Sequence, residues 1–295
     1  MNILKEKLRD SGIPLLENAE VTVGLKVRPS KVGVLISPQT REDMVQALQI
    51  YRTAAPYVPL VVIAEKNSVI FACDEFNGVV LDTSGLRGVC KNGESIIAEA
   101  GVSLRQLVSE NSVSLSGLQP CADIPGSVGG AMVASSELFE SWDYTLEVFD
   151  LAIGKVKEVT HKSGEQDFGY SICRGYPNFI ILRVFFHLKD VVDNNTVIPT
   201  SDLQKRSKTT LDITSKAFVF KANRYRLKDL DLLGMKSAGV EFSSESVGFL
   251  TNRRSDSSWK DVLFLLEEAH RRGLPITTSR LSIITEAQAW RKNSQ

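Results

Sequence analysis

The 295-residue sequence is poor in the residues that hold metals or disulfides. Its four cysteines form no Cys-x-x-Cys pair, and its three histidines lie far apart along the chain. Structural zinc sites use closely spaced Cys and His ligands, and disulfide frameworks belong to oxidising compartments. We therefore expect reduced thiols, a cytoplasmic protein and no metal centre.

An excess of charge is also missing, because 35 basic residues balance 35 acidic ones. Such a chain has no overall field to attract nucleic acid or an anionic membrane. No apolar run is long enough to cross a bilayer, and the opening MNILKEKLRDSGIP is too charged for a signal peptide. We expect no nucleic-acid partner and no membrane insertion.

Hydrophobic patterning predicts a βαβ-like first lobe over residues 1–84. Thr40 and Asp43 have the spacing of a capping box, and apolar residues follow them at helical intervals. The segments PLVVIAE and GVVLDTS are typical of buried strands.

A second lobe is predicted over residues 85–190. SIIAEAG indicates a strand, and Ser103 with Gln106 indicates the start of a short helix. YTLEVFDLAIGKVKEVT predicts two strands joined by a turn at Gly154. NFIILRVFFHLKD predicts a long strand.

A polar linker then leads to a third lobe, residues 191–295. FVFKAN, SAGVEFS, GFLTN and LSIIT predict short strands, and Ser258 with Asp261 predicts a helix start. The expected fold class is α+β in three lobes.

A loop with three glycines stands out in the second lobe. It consists of Ile124, Pro125, Gly126, Ser127, Val128, Gly129, Gly130 and Ala131. Such a loop can present free amide N–H groups to a phosphate, or it can be a tight turn between packed segments. It lacks the spacing of a Walker A or Rossmann fingerprint, and the two interpretations stay open at this point. There is no GxSxG motif for a serine nucleophile either.

In order along the chain, the motifs resemble the UDP-N-acetylenolpyruvoylglucosamine reductase (MurB) family. CADIPGSVGGAM is similar to the family's LAGIPGTVGGAP, and DFGY to the front of FGYRxS. LQKRSKTTLDITSKAFVFKAN and LLGMKSAGVEFSSESVGFLTN resemble the RRATQP…GSVFKNP and LKGxxxGxAxVSxxHAxFxVN segments. The resemblance implies a two-lobed FAD-binding unit of the PCMH/VAO type and a C-terminal α+β lobe of the substrate-binding type. In that family NADPH reduces the flavin, the flavin reduces the enolpyruvyl group, and a serine donates a proton.

The family's second glycine loop, GGGSN, has no glycine in this chain. It falls on Ala64, Glu65, Lys66, Asn67 and Ser68. Two like charges about 4 Å apart repel by roughly 4 kcal/mol at an effective dielectric constant near 20. The Glu65 carboxylate would therefore oppose a flavin pyrophosphate, although Lys66 could offset part of its charge.

The family's catalytic positions are also replaced. The arginine of FGYRxS falls on Ser171, the proton-donating serine on Phe218 and the C-terminal glutamate near Ser279. Phenylalanine has no proton to donate to an enolate. Arg174 lies close enough in sequence to substitute for the lost arginine.

Three hypotheses follow from the resemblance and its departures. The first is a cytoplasmic MurB-like pseudoenzyme without FAD, which acts as a scaffold or regulator by binding a protein partner or a sugar nucleotide and is linked to peptidoglycan synthesis. The second is an active FAD- and NADPH-dependent UDP-N-acetylmuramate dehydrogenase with relocated catalytic groups. The third is another ligand-binding or enzymatic role, in a cleft near Arg174, Lys221, Lys236 and Ser243.

Overall fold

The computed structural model describes residues 1–111, 115–134, 136–163, 178–188, 216–218, 231–243, 249–273 and 282–285. The α-helices in these ranges are α1 (Asn2–Asp10), α2 (Arg41–Ala54), α3 (Leu104–Glu110), α4 (Val128–Ala134) and α5 (Trp259–Arg271). The strands are β1 (Leu15–Val21), β2 (Ser30–Ile36), β3 (Leu60–Ile63), β4 (Val69–Phe71), β5 (Glu75–Asp82), β6 (Val89–Asn92), β7 (Ser95–Glu99), β8 (Tyr144–Asp150), β9 (Lys155–His161), β10 (Phe179–His187), β11 (Lys216–Phe218), β12 (Lys236–Ser237), β13 (Val240–Phe242), β14 (Phe249–Asn252) and β15 (Ser282–Ile284). The predicted α+β class is confirmed.

The first lobe is built on the four-stranded sheet β1-β2-β5-β3. Strands β2 and β3 both run parallel to β5, and α2 connects them, as the βαβ pattern predicts. The amide of Asp43 donates to Thr40 Oγ1 at 3.1 Å, which confirms the predicted helix start. Strand β5 comes later in the chain but lies between the two strands that α2 connects.

The second lobe is built on the antiparallel sheet β6-β7-β10-β8-β9. The predicted hairpin joins β8 to β9, with Gly154 in its turn at a φ of 70°. Ser103 Oγ accepts a hydrogen bond from the Gln106 amide at 3.1 Å and so begins α3 as predicted. One face of the sheet packs against α3 and α4 in a buried apolar core.

The third lobe combines the small sheet β11-β14-β13-β12 with α5. The predicted capping box of Ser258 and Asp261 starts this helix. The buried face of α5 contributes to the same apolar core as β2, β3 and β5 of the first lobe, through Val262, Leu265, Leu266 and Ala269. Strand β15 also returns to pair in parallel with β4. The boundaries at residues 84 and 190 stay predictions.

Six of the described helices and strands were not predicted from the sequence: α1, β1, β2, β4, β6 and α4. Helix α1 is short and highly charged, yet it buries Leu4 and Leu8. The predicted strand FVFKAN overlaps β11 only at Phe218, and its remaining residues lie outside the described ranges.

A buried carboxylate, Glu147 of β8, connects the first two lobes. The guanidinium groups of Arg41 at the start of α2 and Arg183 of β10 each donate two hydrogen bonds to it, at 2.7 to 3.0 Å. Burial raises the pKa of Glu147, but the hydrogen bonds from both arginines outweigh this effect and hold the pKa below its ordinary value. We call these three residues the inter-lobe clamp.

We expect Glu147→Gln to lower the free energy of unfolding by about 1–3 kcal/mol, because both arginines lose their anionic partner. This loss of stability is smaller than the usual cost of breaking a fully buried ion pair, because the side chains of Arg41 and Arg183 are 26% and 29% exposed. Urea unfolding measures the change. Glu158→Gln is the matched control: Glu158 faces Glu147 across β8 and β9 but is exposed. Equal stability of both variants would contradict the clamp.

The clamp also predicts a pH dependence. A carboxylate with a lowered pKa in the folded state stabilises the protein fully above its unfolded pKa. The stability difference between wild type and Glu147→Gln should therefore be constant above about pH 4.5, the ordinary pKa of glutamate, and shrink as the pH falls below that value. Urea unfolding at a series of pH values tests this. A difference that persists unchanged in acid would be inconsistent with it.

Candidate functional site

The glycine loop, residues 124–131, lies where the first two lobes meet. It leads into α4 of the second lobe, whereas residues 64–68 follow β3 of the first lobe. The two segments contact each other: the amide of Gly126 donates to Glu65 Oε2 at 3.1 Å. The structure thus brings together the two loops that sequence analysis related to flavin binding.

Further amides of the glycine loop already have acceptors within the second lobe. The hydrogen bonds are Val128 N to Val102 O (2.7 Å), Gly129 N to Ala100 O (2.9 Å), Gly130 N to Ser127 Oγ (3.1 Å) and Ala131 N to Ser127 O (2.8 Å). A phosphate cradle needs amide N–H groups that point at the ligand. These four groups are committed to the protein itself.

At two positions of the loop the structure requires glycine. A Cβ on Gly129 would lie 2.9 Å from Ala100 Cβ and 3.0 Å from Ala100 O, so the backbones could not approach as they do. Gly126 has a φ of 143°, which side chains rarely allow. Gly130 differs, because a Cβ there would approach only the Ser127 hydroxyl, at 3.2 Å. The loop geometry favours the tight-turn interpretation.

The backbone at Gly101 explains why this turn is so close to the first lobe. A Cβ on Gly101 would lie 1.9 Å from the carbonyl oxygen of Thr83 and 2.7 Å from that of Leu86. Both carbonyls belong to the turn after β5. Only glycine allows this contact between the lobes.

The loop at residues 64–68 has no glycine but keeps a conformation that suits one. Lys66 has a φ of 63°, in the left-handed region. Its Nζ lies 3.1 Å from Oδ2 of Asp82, a buried carboxylate that also accepts the Ser84 amide. The ammonium group of Lys66 thus pairs with Asp82, and an effect of Lys66 on the charge of Glu65 stays a prediction.

The same loop is packed against the segment before β2. The amide of Gly24 donates to Lys66 O at 2.8 Å, and a Cβ on Gly24 would lie 2.4 Å from Asn67 Oδ1. The base of the loop is thus fixed to the first lobe, while the exposed Glu65 side chain reaches the second.

The fit to a flavin pyrophosphate follows from these contacts. An anionic ligand would meet amides that already donate elsewhere, and it would meet the Glu65 carboxylate at Gly126. A pyrophosphate at Gly126 would therefore have to displace the Glu65 carboxylate.

The remaining predicted site positions are only partly described. Phe218 lies in β11, and its backbone pairs with that of Phe249 in β14. Lys236 is exposed in β12, and Ser243 is buried just after β13. Four predicted positions lie outside the described residues: Ser171, Arg174, Lys221 and Ser279.

Cys121, just before the glycine loop, is buried, and burial raises its pKa to about 12. Its thiol is therefore unreactive at neutral pH. Within the described residues, Cys73 and Cys90 form no disulfide bond. Among the described residues, no group of His, Cys, Asp and Glu could hold a metal ion. None of the described helices is both long and apolar enough to cross a membrane.

Sequence reasoning missed Asp82 and the inter-lobe clamp. The signal for Asp82 was available, since a carboxylate that ends the apolar run GVVLD is a candidate for a buried ion pair. The clamp had no such signal, because Arg41 and Glu147 are 106 residues apart.

Comparisons with known proteins agree with this architecture. A family model described as an FAD binding domain matches residues 32–137, a range that includes both loops. The crystal structure of UDP-N-acetylenolpyruvylglucosamine reductase (MurB) from Thermus caldophilus superposes with a TM-score of 0.62 at 20% identity, over 92% of this chain and 98% of that one. That likeness confirms the MurB-like fold.

Similar sequences carry the same name. The UDP-N-acetylenolpyruvoylglucosamine reductase of Petrotoga mobilis is 30% identical over 81% of this chain and 83% of its own length. The corresponding protein of Clostridium botulinum is 24% identical over 85% of each chain. The chain belongs to the UDP-N-acetylenolpyruvoylglucosamine reductase family.

Proposed function

We propose that this protein is a MurB-like pseudoenzyme: a member of the reductase family that holds no FAD and does not reduce enolpyruvyl sugar nucleotides. It acts in the cytoplasm as a scaffold or regulator through a protein partner, with a sugar nucleotide as a second candidate ligand. The connection to peptidoglycan synthesis rests on family membership alone.

The observation that carries this proposal is the use of the glycine-loop amides. Four of them donate to oxygen atoms of the second lobe, and Gly126 donates to Glu65. A bound pyrophosphate would have to break such bonds and approach a carboxylate. Each buried oxygen atom of the protein that loses its donor in this way costs about 1–3 kcal/mol.

The residue types at the family's catalytic positions support the same conclusion. Where the family has a proton-donating serine, this chain has Phe218, whose ring carries no acidic proton. Loss of one positioned proton donor typically slows a reaction by a factor of about 10²–10⁴.

A second candidate is favoured by the family match. The active alternative is an FAD- and NADPH-dependent UDP-N-acetylmuramate dehydrogenase with relocated catalytic groups. It is supported by the FAD binding domain model, which covers residues 32–137, and by the similarity over most of the chain. It requires the Glu65 side chain to move away from Gly126.

We expect the purified protein to be colourless after incubation with excess FAD and desalting, because five amides of the glycine loop already donate within the protein and one of their acceptors is the Glu65 carboxylate. The visible absorption spectrum between about 350 and 500 nm measures retained flavin. The Petrotoga mobilis relative, treated in parallel, is the positive control.

The same samples are then assayed for NADPH oxidation with the enolpyruvyl sugar nucleotide. The expected result is no turnover above the rate without protein. A yellow protein that oxidises NADPH with this substrate would refute the pseudoenzyme and establish the dehydrogenase.

A pair of glycine variants tests whether the loop is kept for packing. Gly129→Ala should lower the free energy of unfolding by about 1–3 kcal/mol, because the new Cβ would press on the Ala100 backbone. Gly130→Ala, at an exposed position in α4, should stay within about 1 kcal/mol of wild type, since alanine favours the helix. Thermal or urea unfolding measures both. If Gly130→Ala were as destabilising as Gly129→Ala, contact with Ala100 could not explain these glycines.

A further inference from the structure

The carboxylate of Glu65 in the first lobe binds the glycine loop of the second lobe in the way that a phosphate oxygen would. Glu65 Oε2 accepts the Gly126 amide at 3.1 Å, across 61 positions of sequence. Carboxylate and phosphate oxygens compete for the same kind of donor, a backbone N–H group. A ligand with a phosphate at this junction would have to displace Glu65.

The loop that carries Glu65 is held in place from behind. The ion pair between Lys66 and Asp82 and the hydrogen bond from Gly24 N to Lys66 O fix residue 66 on the first lobe. The neighbouring Glu65 side chain is exposed, so packing does not determine its direction. The hydrogen bond to Gly126 is the contact that the structure gives this carboxylate in the second lobe.

The Lys66 ammonium group, the nearest cation in sequence, is committed to Asp82. The negative charge of Glu65 therefore stays at the junction and repels other anions. A glutamine at the same position would keep the size of the side chain and its acceptor oxygen, but not this repulsion.

We infer that the Glu65 carboxylate, at the junction between the first two lobes, repels phosphate-bearing ligands and so keeps them from the glycine loop. The inference rests on the proposed function, since it explains why a family member would hold no flavin. It goes further by assigning a measurable part of the exclusion to one charge, that of Glu65, which can be removed.

The test compares wild type with Glu65→Gln and Glu65→Asp. FAD and inorganic pyrophosphate are titrated separately, by flavin fluorescence and by calorimetry. Glu65→Gln should bind both probes at least tenfold more tightly than wild type, about 1.4 kcal/mol. Glu65→Asp, which keeps the charge, should show no such gain. Glu110→Gln is the matched control, because Glu110 is an exposed carboxylate at the end of α3.

Equal affinities of wild type and Glu65→Gln, or no binding by either, would overturn the inference. A similar gain in Glu110→Gln would also overturn it, because the effect would then be one of net charge. Thermal unfolding confirms that each variant is folded before titration. The proposed function fails by a different result: wild type that retains FAD after desalting refutes the pseudoenzyme, whereas the ratio between variant and wild type still decides the role of Glu65.

Discussion

The backbone at residues 100–102 packs closely against two other segments, the turn after β5 and the glycine loop. This packing constrains the rest of the site. On one side Gly101 lies so near the carbonyls of Thr83 and Leu86 that no side chain fits. On the other side Ala100 and Val102 accept the amides of Gly129 and Val128. The turn after β5, the end of β7 and the glycine loop are therefore stacked by main-chain contacts. Once these positions are fixed, the glycine loop lies within reach of the Glu65 side chain from the loop at 64–68.

This constraint gives the family signature a structural role of its own. The segment IPGSVGGA forms a turn. Its contact with Ala100 requires glycine at position 129, and its backbone conformation requires glycine at position 126. The loop at 64–68, where the resemblance places the family's other glycine loop, contains no glycine and makes no such contact. Main-chain packing therefore restricts the residue types at the first loop more than at the second.

The parts of the structure that sequence analysis predicted correctly are those with local signals. Thr40, Ser103 and Ser258 begin helices through contacts within three residues, and Gly154 forms a hairpin turn between adjacent strands. The contacts that define the site are not local: Glu65 with Gly126, and Arg41 with Glu147, join residues that are 61 and 106 positions apart. No pattern within a window of sequence indicates such pairs. The pairing of Lys66 with Asp82 had no local signal for the same reason, because Asp82 ends a different strand, β5.

The shared core of the first and third lobes limits how the molecule can move. Helix α5 and strands β13 and β14 bury their apolar side chains against the same cluster as β2, β3 and β5, and β15 adds a parallel partner to β4. Two bodies that share one core cannot swing apart without exposing it to water. The first and second lobes share a buried core as well, in which Phe149, Leu151, Ile180 and Leu182 of the second lobe pack with apolar side chains of α2, β2 and β5. The inter-lobe clamp adds its polar contacts to that junction. The first lobe thus has a core in common with each of the other two, and opening either junction would expose apolar surface to water.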